Sequence, residues 1–409
     1  MENLSTVKKV KAEIKRAPED FLVQEITSNG TVLSLDRAYL PGELGFAEQE
    51  SGKFVAFVLQ KRDWNTAQAL ISLAKTLGRG RKSVSFAGTK DRVSVSTQLC
   101  SIFGAARARV ASARLKDIKV NAAWYSDSQV RMGDLLGNNF SIKVYTDIDD
   151  DRLGDHIKKV CEELGGVFPN YFGEQRFGQR KNNFEVGLCL LRGDFERAAM
   201  AFLTDTSNEI NQDAVAAREK LAEHMDFAEA MNYFPRYLKY ERMVIDYLAK
   251  FPGNYANALR KLPRQLLLMF AHSVESQIFN EEVEHRIKEH RLQPEGEDVA
   301  VLENFYGFPD YETIVQAEGW SGAGRSFACS NIVGYDTKKL TDFESARLDE
   351  LGITLEDFRL KKMPEINCKG TFRVLFSPFK DFSFEDGTMR FSLPAGSYAT
   401  TMVDEFFEL

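Results

Sequence analysis

Apolar and polar positions alternate with a period of two near both ends of the chain and recur at helical spacing between them. AEIKRAPEDFLVQEI alternates around a proline, and TVLSL and KFVAFVLQK are short strand patterns separated by turn signals such as PGELG. NTAQALISLAKTLG predicts a helix from Asn65, because Ala69, Leu70, Leu73, Ala74 and Leu77 share one face and Gly78 follows its end. SVSFAG and FSIKVYTDI are further strands, the second running into the acidic TDIDDDR at an expected domain edge. From about Asp151 the period becomes helical. DRLGDHIKKVCEELGG stops at paired glycines, and NNFEVGLCLLRGDFERAAMAFL reads as two helices pivoting at Gly193. A long helix starts near Pro263, with Leu267, Phe270, Val274 and Ile278 as its core stripe. Alternation returns in TFRVLFSPFKDFSFEDGTMRFSL around the turn EDGT. The order β-rich, helical, β-rich predicts an α+β protein in which a helix-rich domain is inserted into a mixed α/β one.

Composition narrows the setting. The 409 residues suffice for two or three domains, and 44% hydrophobic with 28% charged residues fits a soluble globular chain. No apolar run approaches the ~20 residues a membrane span needs. The start, MENLSTVKKVKAEIKR, has no segment of signal-peptide type, so a cytoplasmic protein is expected. Five cysteines without a CxxC pair are expected to be free thiols. A net charge of −7 speaks against a polyanionic partner until its distribution is read. Sixteen Lys and Arg against five Asp and Glu fall between Ser51 and Lys143, so a basic segment sits on an acidic body.

Candidate chemistry is concentrated in three stretches. His156, His224, His272, His285 and His290 fall in the helical patterns, show no ligand spacing, and read as surface or capping residues, so no metal is expected. GRGRKS lacks the Gly-Lys step of a phosphate loop. FAGTKDRVSVSTQ (Phe86–Gln98) breaks a strand with Gly88 and sets Asp91 between Lys90 and Arg92. RMGDLLGNNFSIKV turns on glycines into Asn138, Asn139 and Phe140, and FPNYFGEQRFGQRKNN interleaves aromatics with Gly, Gln and Arg176. Aromatic faces beside guanidinium groups suit unstacked RNA bases; the plain alternatives are a charged turn, a glycine-bounded strand and an aromatic core cluster.

Together these stretches resemble the TruD-type tRNA pseudouridine synthases. FAGTKDRVSVSTQ is similar to the family's G-x-K-D-x-x-A-x-x-x-Q, with Ser94 in place of the alanine many members carry. NYFGEQRFG resembles N-Y-F-G-x-Q-R-F-G, KRAPEDFLVQE the amino-terminal P-E-D-F segment, RMGDLLGNNFSI the G-x-L-x-G-N-x-F run and PAGSYAT the P-A-G-S-[FY]-A-T motif, all in family order. The resemblance implies a pseudouridine-synthase catalytic domain at 1–178 plus 377–409. It is built on a mixed, largely antiparallel sheet with flanking helices and interrupted by a helix-rich α/β insertion at 179–376. It implies isomerisation of uridine to pseudouridine in tRNA, at the family's usual target uridine 13. Asp91 is then the catalytic carboxylate and Lys15 its partner. Phe140 and Tyr398 line the uracil pocket, Phe21 packs near Lys15, and Asn138 hydrogen-bonds Asp91 or the uracil edge. Lys90, Arg92, Arg79, Arg81, Lys82 and Arg176 are candidates for RNA contact, with Gly88 leaving room for the nucleotide. No cofactor is needed for a redox-neutral isomerisation, the partner is tRNA without membrane or metal, and a monomer is expected. The alternative is a non-catalytic RNA-binding or RNA-folding protein on the same scaffold; a Schiff-base enzyme using Lys90 would need that lysine in an apolar pocket.

Overall fold

The computed structural model describes residues 1–318 and 324–409. The PEDF segment opens strand β1 (Phe21–Thr27), and KFVAFVLQKR forms β2 (Phe54–Arg62). Helix α1 (Thr66–Thr76) begins where the Asn65 side chain accepts from the N–H groups of Ala67 and Gln68. Then come β3 (Val84–Phe86), β4 (Val95–Phe103), β5 (Ile118–Ser126) and β6 (Leu135–Lys143). Helix α2 (Asp150–Leu164) follows, ending at Gly165 in the left-handed region. The acidic TDIDDDR run is a helix start: the Asp149 carboxylate accepts from the Arg152 N–H.

The middle of the chain builds a second body. Helices α3 (Asn183–Leu191) and α4 (Phe195–Thr204) pivot at Gly193, φ +73°, and α5 (Arg264–Lys288) buries Leu267, Phe270, Val274 and Ile278 in their shared core. Gly187 lets α3 and α5 touch, since a Cβ there would lie 2.0 Å from the Phe270 carbonyl oxygen. Strands β7 (Val299–Glu303), β8 (Pro309–Gln316), β9 (Ser326–Ile332) and β10 (Thr371–Val374) form a four-stranded sheet in the order β8-β7-β9-β10. The chain then returns as the hairpin β11 (Lys380–Glu385) and β12 (Thr388–Pro394). Asp386 and Gly387, both at positive φ, make its two-residue turn. Helix α6 (Ala399–Phe406) comes last. Among the described residues no helix is long and apolar enough to cross a membrane.

The large sheet runs β11-β12-β6-β1-β4-β2-β5, with β3 also paired to β4. Only β1 and β4 pair in parallel within it; the other pairs are antiparallel, which makes the sheet mixed. Register carries one row of side chains across it: Phe391, Phe140, Val23, Ser96 and Lys61. Alternation puts these on a single face. On one half of that face Phe21, Val23, Phe140, Ile142 and Phe391 pack under α2 and α6; on the other, Val55, Phe57, Leu59, Cys100 and Ile102 pack under α1. At the parallel β1/β4 seam the same face turns polar.

TVLSL contributes a single bridge, Val32 to Ile26, because Leu33 and Tyr39 are drawn into the apolar cluster on the opposite face. The two ends of the chain meet. Val10 pairs in parallel with Phe407, and the N–H groups of Leu4 and Ser5 donate to the Glu405 carboxylate. Burial pushes Glu405 up to about 7.

Candidate active site

A break in the sheet creates the site. Strand β1 pairs with residues 95–97 of β4 and β3 with residues 100–102, so both lie along one side of β4, one beyond the other. Strand β2 fills the other side throughout. At the gap the chain leaves β3 and passes over the seam as Gly88–Asp91. Backbone groups exposed by such a break need partners. The Ala87 N–H donates to the Leu99 carbonyl, and the Leu99 N–H donates to the Glu25 Oε1 at 2.8 Å, so a carboxylate replaces the missing strand.

That carboxylate also fixes the loop. Lys90 Nζ donates to Glu25 Oε2 at 2.6 Å, with the lysine side chain 2% exposed and the glutamate 0%. Burial raises the proton affinity of Glu25, and Lys90 opposes it through charge and hydrogen bond. Two expectations are corrected here. Lys90 is not available to RNA phosphate, since its ammonium is spent inside the protein. Nor is Gly88 room for a nucleotide: a Cβ there would lie 3.0 Å from Lys90 Nζ and 3.2 Å from Leu135, so the glycine accommodates the ion pair. A lysine held by a buried carboxylate at 2.6 Å is also not presented to a substrate as a Schiff-base nucleophile must be.

Four further side chains hold the same loop. Gln98 Nε2 donates to the Gly88 carbonyl at 2.9 Å. The Thr66 hydroxyl accepts from the Lys90 N–H and donates to Gln98 Oε1, each at 3.0 Å. Lys61 Nζ and the Ser94 hydroxyl both donate to the Asp91 carbonyl at 2.7 Å. Lys61 is buried, and desolvation brings it down to about 8 although the charge of Asp91 opposes the shift. With its main chain tied from below, Asp91 turns its carboxylate outward, the side chain 52% exposed. Lys15 Nζ meets Asp91 Oδ2 at 2.8 Å and lies 3.9 Å from the centre of the Phe21 ring. Lys15 adopts φ +59°, an uncommon backbone for a residue with a side chain.

The remaining expected residues fall into three places. Phe140 is buried beneath the seam, its ring 6.1 Å from Phe21 and 5.6 Å from Phe391. Asn138 is its neighbour on the same face, opposite Glu25; among the described residues its buried Oδ1 has no hydrogen-bond partner, nor has the Ser96 hydroxyl in the Phe140 row. Tyr398 precedes α6 and is 38% exposed, 5.8 Å from the Arg373 guanidinium. Arg373 is buried and donates to Asn170 and to the Gly396 carbonyl, which ties NYFGEQRFG to PAGSYAT. Arg176 stacks 5.2 Å from the Phe172 ring and lines a cavity of about 410 Å³ beside Arg373, away from the Asp91 loop. Arg79, Arg81, Lys82 and Arg92 are exposed, with Arg79 donating to the Gly104 carbonyl and Arg92 3.3 Å from Asp63.

A model of the family described as tRNA pseudouridine synthase D (TruD) matches residues 2–406. The chain belongs to the TruD family. Membership makes it an enzyme, a tRNA pseudouridine synthase and thus an isomerase. Among its relatives, the probable tRNA pseudouridine synthase D of Methanosarcina mazei is 32% identical, the match covering 97% of this chain and 93% of that one. The protein of the same name from Thermococcus sibiricus is 31% identical over 99% and 97%. A crystal structure of the M. mazei TruD protein matches with a TM-score of 0.77 at 30% identity, over 100% of this chain and 96% of that one. The TruD fold expected from the sequence, a mixed α+β architecture, is the one observed.

Sequence reading missed Glu25, Lys61, Thr66 and Gln98 as anchors of the TruD signature loop. One signal was present: Val55, Phe57, Leu59 and Lys61 alternate on one buried face, so Lys61 is a charge on a core position. The histidines need correction too. His156 is buried, its Nε2 2.7 Å from the Phe406 carbonyl, and His272 stands beside Glu275 and Cys368.

Proposed function

We propose that this TruD-family enzyme isomerises one uridine of tRNA, the family target uridine 13, with Asp91 as the catalytic carboxylate. The uridine is flipped out of the RNA onto the polar seam, floored by Phe140 and rimmed by Tyr398. The observation that carries the reading is the Lys15–Asp91 pair. An exposed carboxylate, fixed through its own main chain and contacted by a single ammonium at 2.8 Å, is a nucleophile presented to a ligand from outside. Two buried orphans beneath it support the pocket. The Asn138 Oδ1 needs an N–H donor and the Ser96 hydroxyl has a free hydrogen, and a uracil edge offers both an N–H and a carbonyl. The isomerisation breaks the N1–C1′ bond, forms C5–C1′, and moves the proton from C5 out while N1 gains one. No oxidant or hydrolytic water enters the balance. Carbodiimide derivatisation of a tRNA transcript before and after incubation, read as primer-extension stops, tests the assignment, because the isomer has the mass of uridine and needs a selective label; a product with no pseudouridine at position 13 overturns the target.

The exposed Arg79, Arg81, Lys82 and Arg92 supply the RNA-facing charge. Affinity for tRNA is expected to fall linearly in log–log form with salt. Replacing Arg79, Arg81 and Lys82 by alanine lowers that slope by about 2–3, at ~0.7–0.9 per released phosphate contact. A filter-binding salt titration measures both slopes.

Lys61 gives a pH prediction. Its folded value, about 8, lies below the ordinary lysine value of 10.5, so the folded state sheds a proton that the unfolded state keeps. Its buried charge therefore costs stability below pH 8, and the cost is relieved as pH rises toward 10.5. Lys61→Met is expected to fold at least as stably as the wild type at pH 7 while kcat drops about 10- to 100-fold, as Asp91 loses one of two anchors. Wild-type activity falls above pH 8 and Lys61→Arg flattens that limb, read from initial rates between pH 6.5 and 9.5.

A further inference from the structure

The cavity lined by Phe172, Arg176 and Arg373 contains a cluster that the Asp91 chemistry does not use. His272 and Glu275 lie three residues apart on α5, and Cys368 stands just before β10. One donor atom of each falls within 4.8 Å of the other two, and His272 Nε2 is 3.9 Å from Glu275 Oε2. Spacing of three on a helix places two side chains side by side, as helical metal ligands require.

Glu275 is the residue that needs explaining. It is 5% exposed, yet among the described residues no hydrogen bond reaches its carboxyl: His272 Nε2 stands 3.9 Å away and the Cys368 thiol donates to the Ile366 carbonyl. Buried carboxylates are ordinarily paired or coordinated. Arg176 influences it through charge without closing an ion pair, because the guanidinium is held over Phe172. The three groups offer an imidazole nitrogen, a carboxyl oxygen and a thiol sulfur, all within 4.8 Å of one another.

We propose that His272, Glu275 and Cys368 bind a borderline divalent cation of the Zn²⁺ class, through Nε2, a carboxylate oxygen and Sγ. Sulfur, imidazole nitrogen and carboxylate oxygen together suit Zn²⁺ rather than Mg²⁺ or Ca²⁺. As the metal–sulfur and metal–oxygen bonds form, the thiol and carboxyl protons leave to solvent. The resulting thiolate and carboxylate balance the dication, so Arg176 faces a neutral centre rather than a second cation. The fourth position opens on the cavity and takes water. The site clamps α5 to the segment feeding β10, whose Arg373 anchors the PAGSYAT loop.

The test uses the full-length protein stripped with chelator and titrated with Co²⁺. The expected result is one Co²⁺ per chain, with visible bands of a four-coordinate ion and a near-ultraviolet thiolate charge-transfer band, both displaced by one equivalent of Zn²⁺. Cys368→Ser removes the charge-transfer band and weakens binding by roughly 100-fold or more, beyond the ~10–100-fold typical of outer-shell losses. Glu275→Gln weakens binding while leaving the charge-transfer band, which separates lost ligation from lost folding. Cys189→Ser, a thiol remote from the cavity, changes nothing. Absence of stoichiometric Co²⁺ binding, or a charge-transfer band that survives Cys368→Ser, overturns the site.

Discussion

Asp91→Asn is expected to abolish pseudouridine formation, by on the order of 10⁴-fold or more, the scale on which enzymes lose rate when their nucleophile is removed. The amide keeps the size of the carboxylate and can still meet the Lys15 ammonium through its oxygen. The main-chain anchors from Lys61 and Ser94 are untouched, since they hold the carbonyl of residue 91 and not its side chain. Affinity for tRNA should therefore change by no more than about threefold, because the substitution leaves every exposed basic side chain in place. Single-turnover assays on a transcript, paired with binding measured on the same preparation, separate the two quantities. Residual activity within tenfold of wild type removes Asp91 from the chemistry.

Breaking the buried pair beneath the loop has the largest effect on stability. Lys90→Met leaves Glu25 without its cation in a site with no exposure, and loss of one partner of such a pair costs roughly 3–5 kcal/mol. The cost depends on pH with a definite sign. Burial raises the folded proton affinity of Glu25, and removing Lys90 raises it further. The folded variant then holds a proton that the unfolded chain releases above about pH 4.5, so stability declines as pH climbs from there toward neutrality. The deficit of Lys90→Met should shrink when unfolding is measured at pH 5 rather than pH 8. Glu25→Gln/Lys90→Met recovers part of the loss, since no lone charge remains, yet it does not restore activity because the loop has lost its tether. Urea unfolding of the two variants alongside wild type decides this, and a Lys90→Met protein as stable as wild type shows that the pair is no anchor.

What the sequence made legible follows from the range of the forces involved. The Asn65-capped helix, the Gly193 pivot and the Asp386–Gly387 hairpin are local, each set by a few neighbouring residues, and each stands where patterning predicts. The identity of the signature loop was legible too, because its motif is contiguous. Its support was not. Glu25, Lys61 and Thr66 reach the loop from two strands and a helix start, and only Lys61 betrays itself by periodicity, as a charge in register with Val55, Phe57 and Leu59. Lys90 shows the error that results. Flanked by Asp and Arg it reads as a solvent-facing cation, whereas a break in pairing along β4 draws it inward to a carboxylate doing a strand's work. The closeness of His272 to Cys368 was hidden for the same reason: the two lie far apart along the chain, and only the return of the chain to β10 brings them together.

The meeting of the chain ends sets an order in time. Lys15 lies four residues beyond the pairing of Val10 and Lys11 with Phe407 and Glu408, and the preceding turn is held by Glu405 and Asp404. Strand β6, bearing Asn138 and Phe140, is flanked by β1 on one side and by β12, made more than two hundred residues later, on the other. During synthesis the Asp91 loop can close on Glu25 and Lys61 early, and the Glu13–Tyr145 bridge can already draw Lys15 toward it, while β6 still presents an open edge. Long-range closure of this kind comes late in folding. A nascent chain therefore carries the formed Asp91 loop on an unfinished sheet, which closes only when β12 has been made.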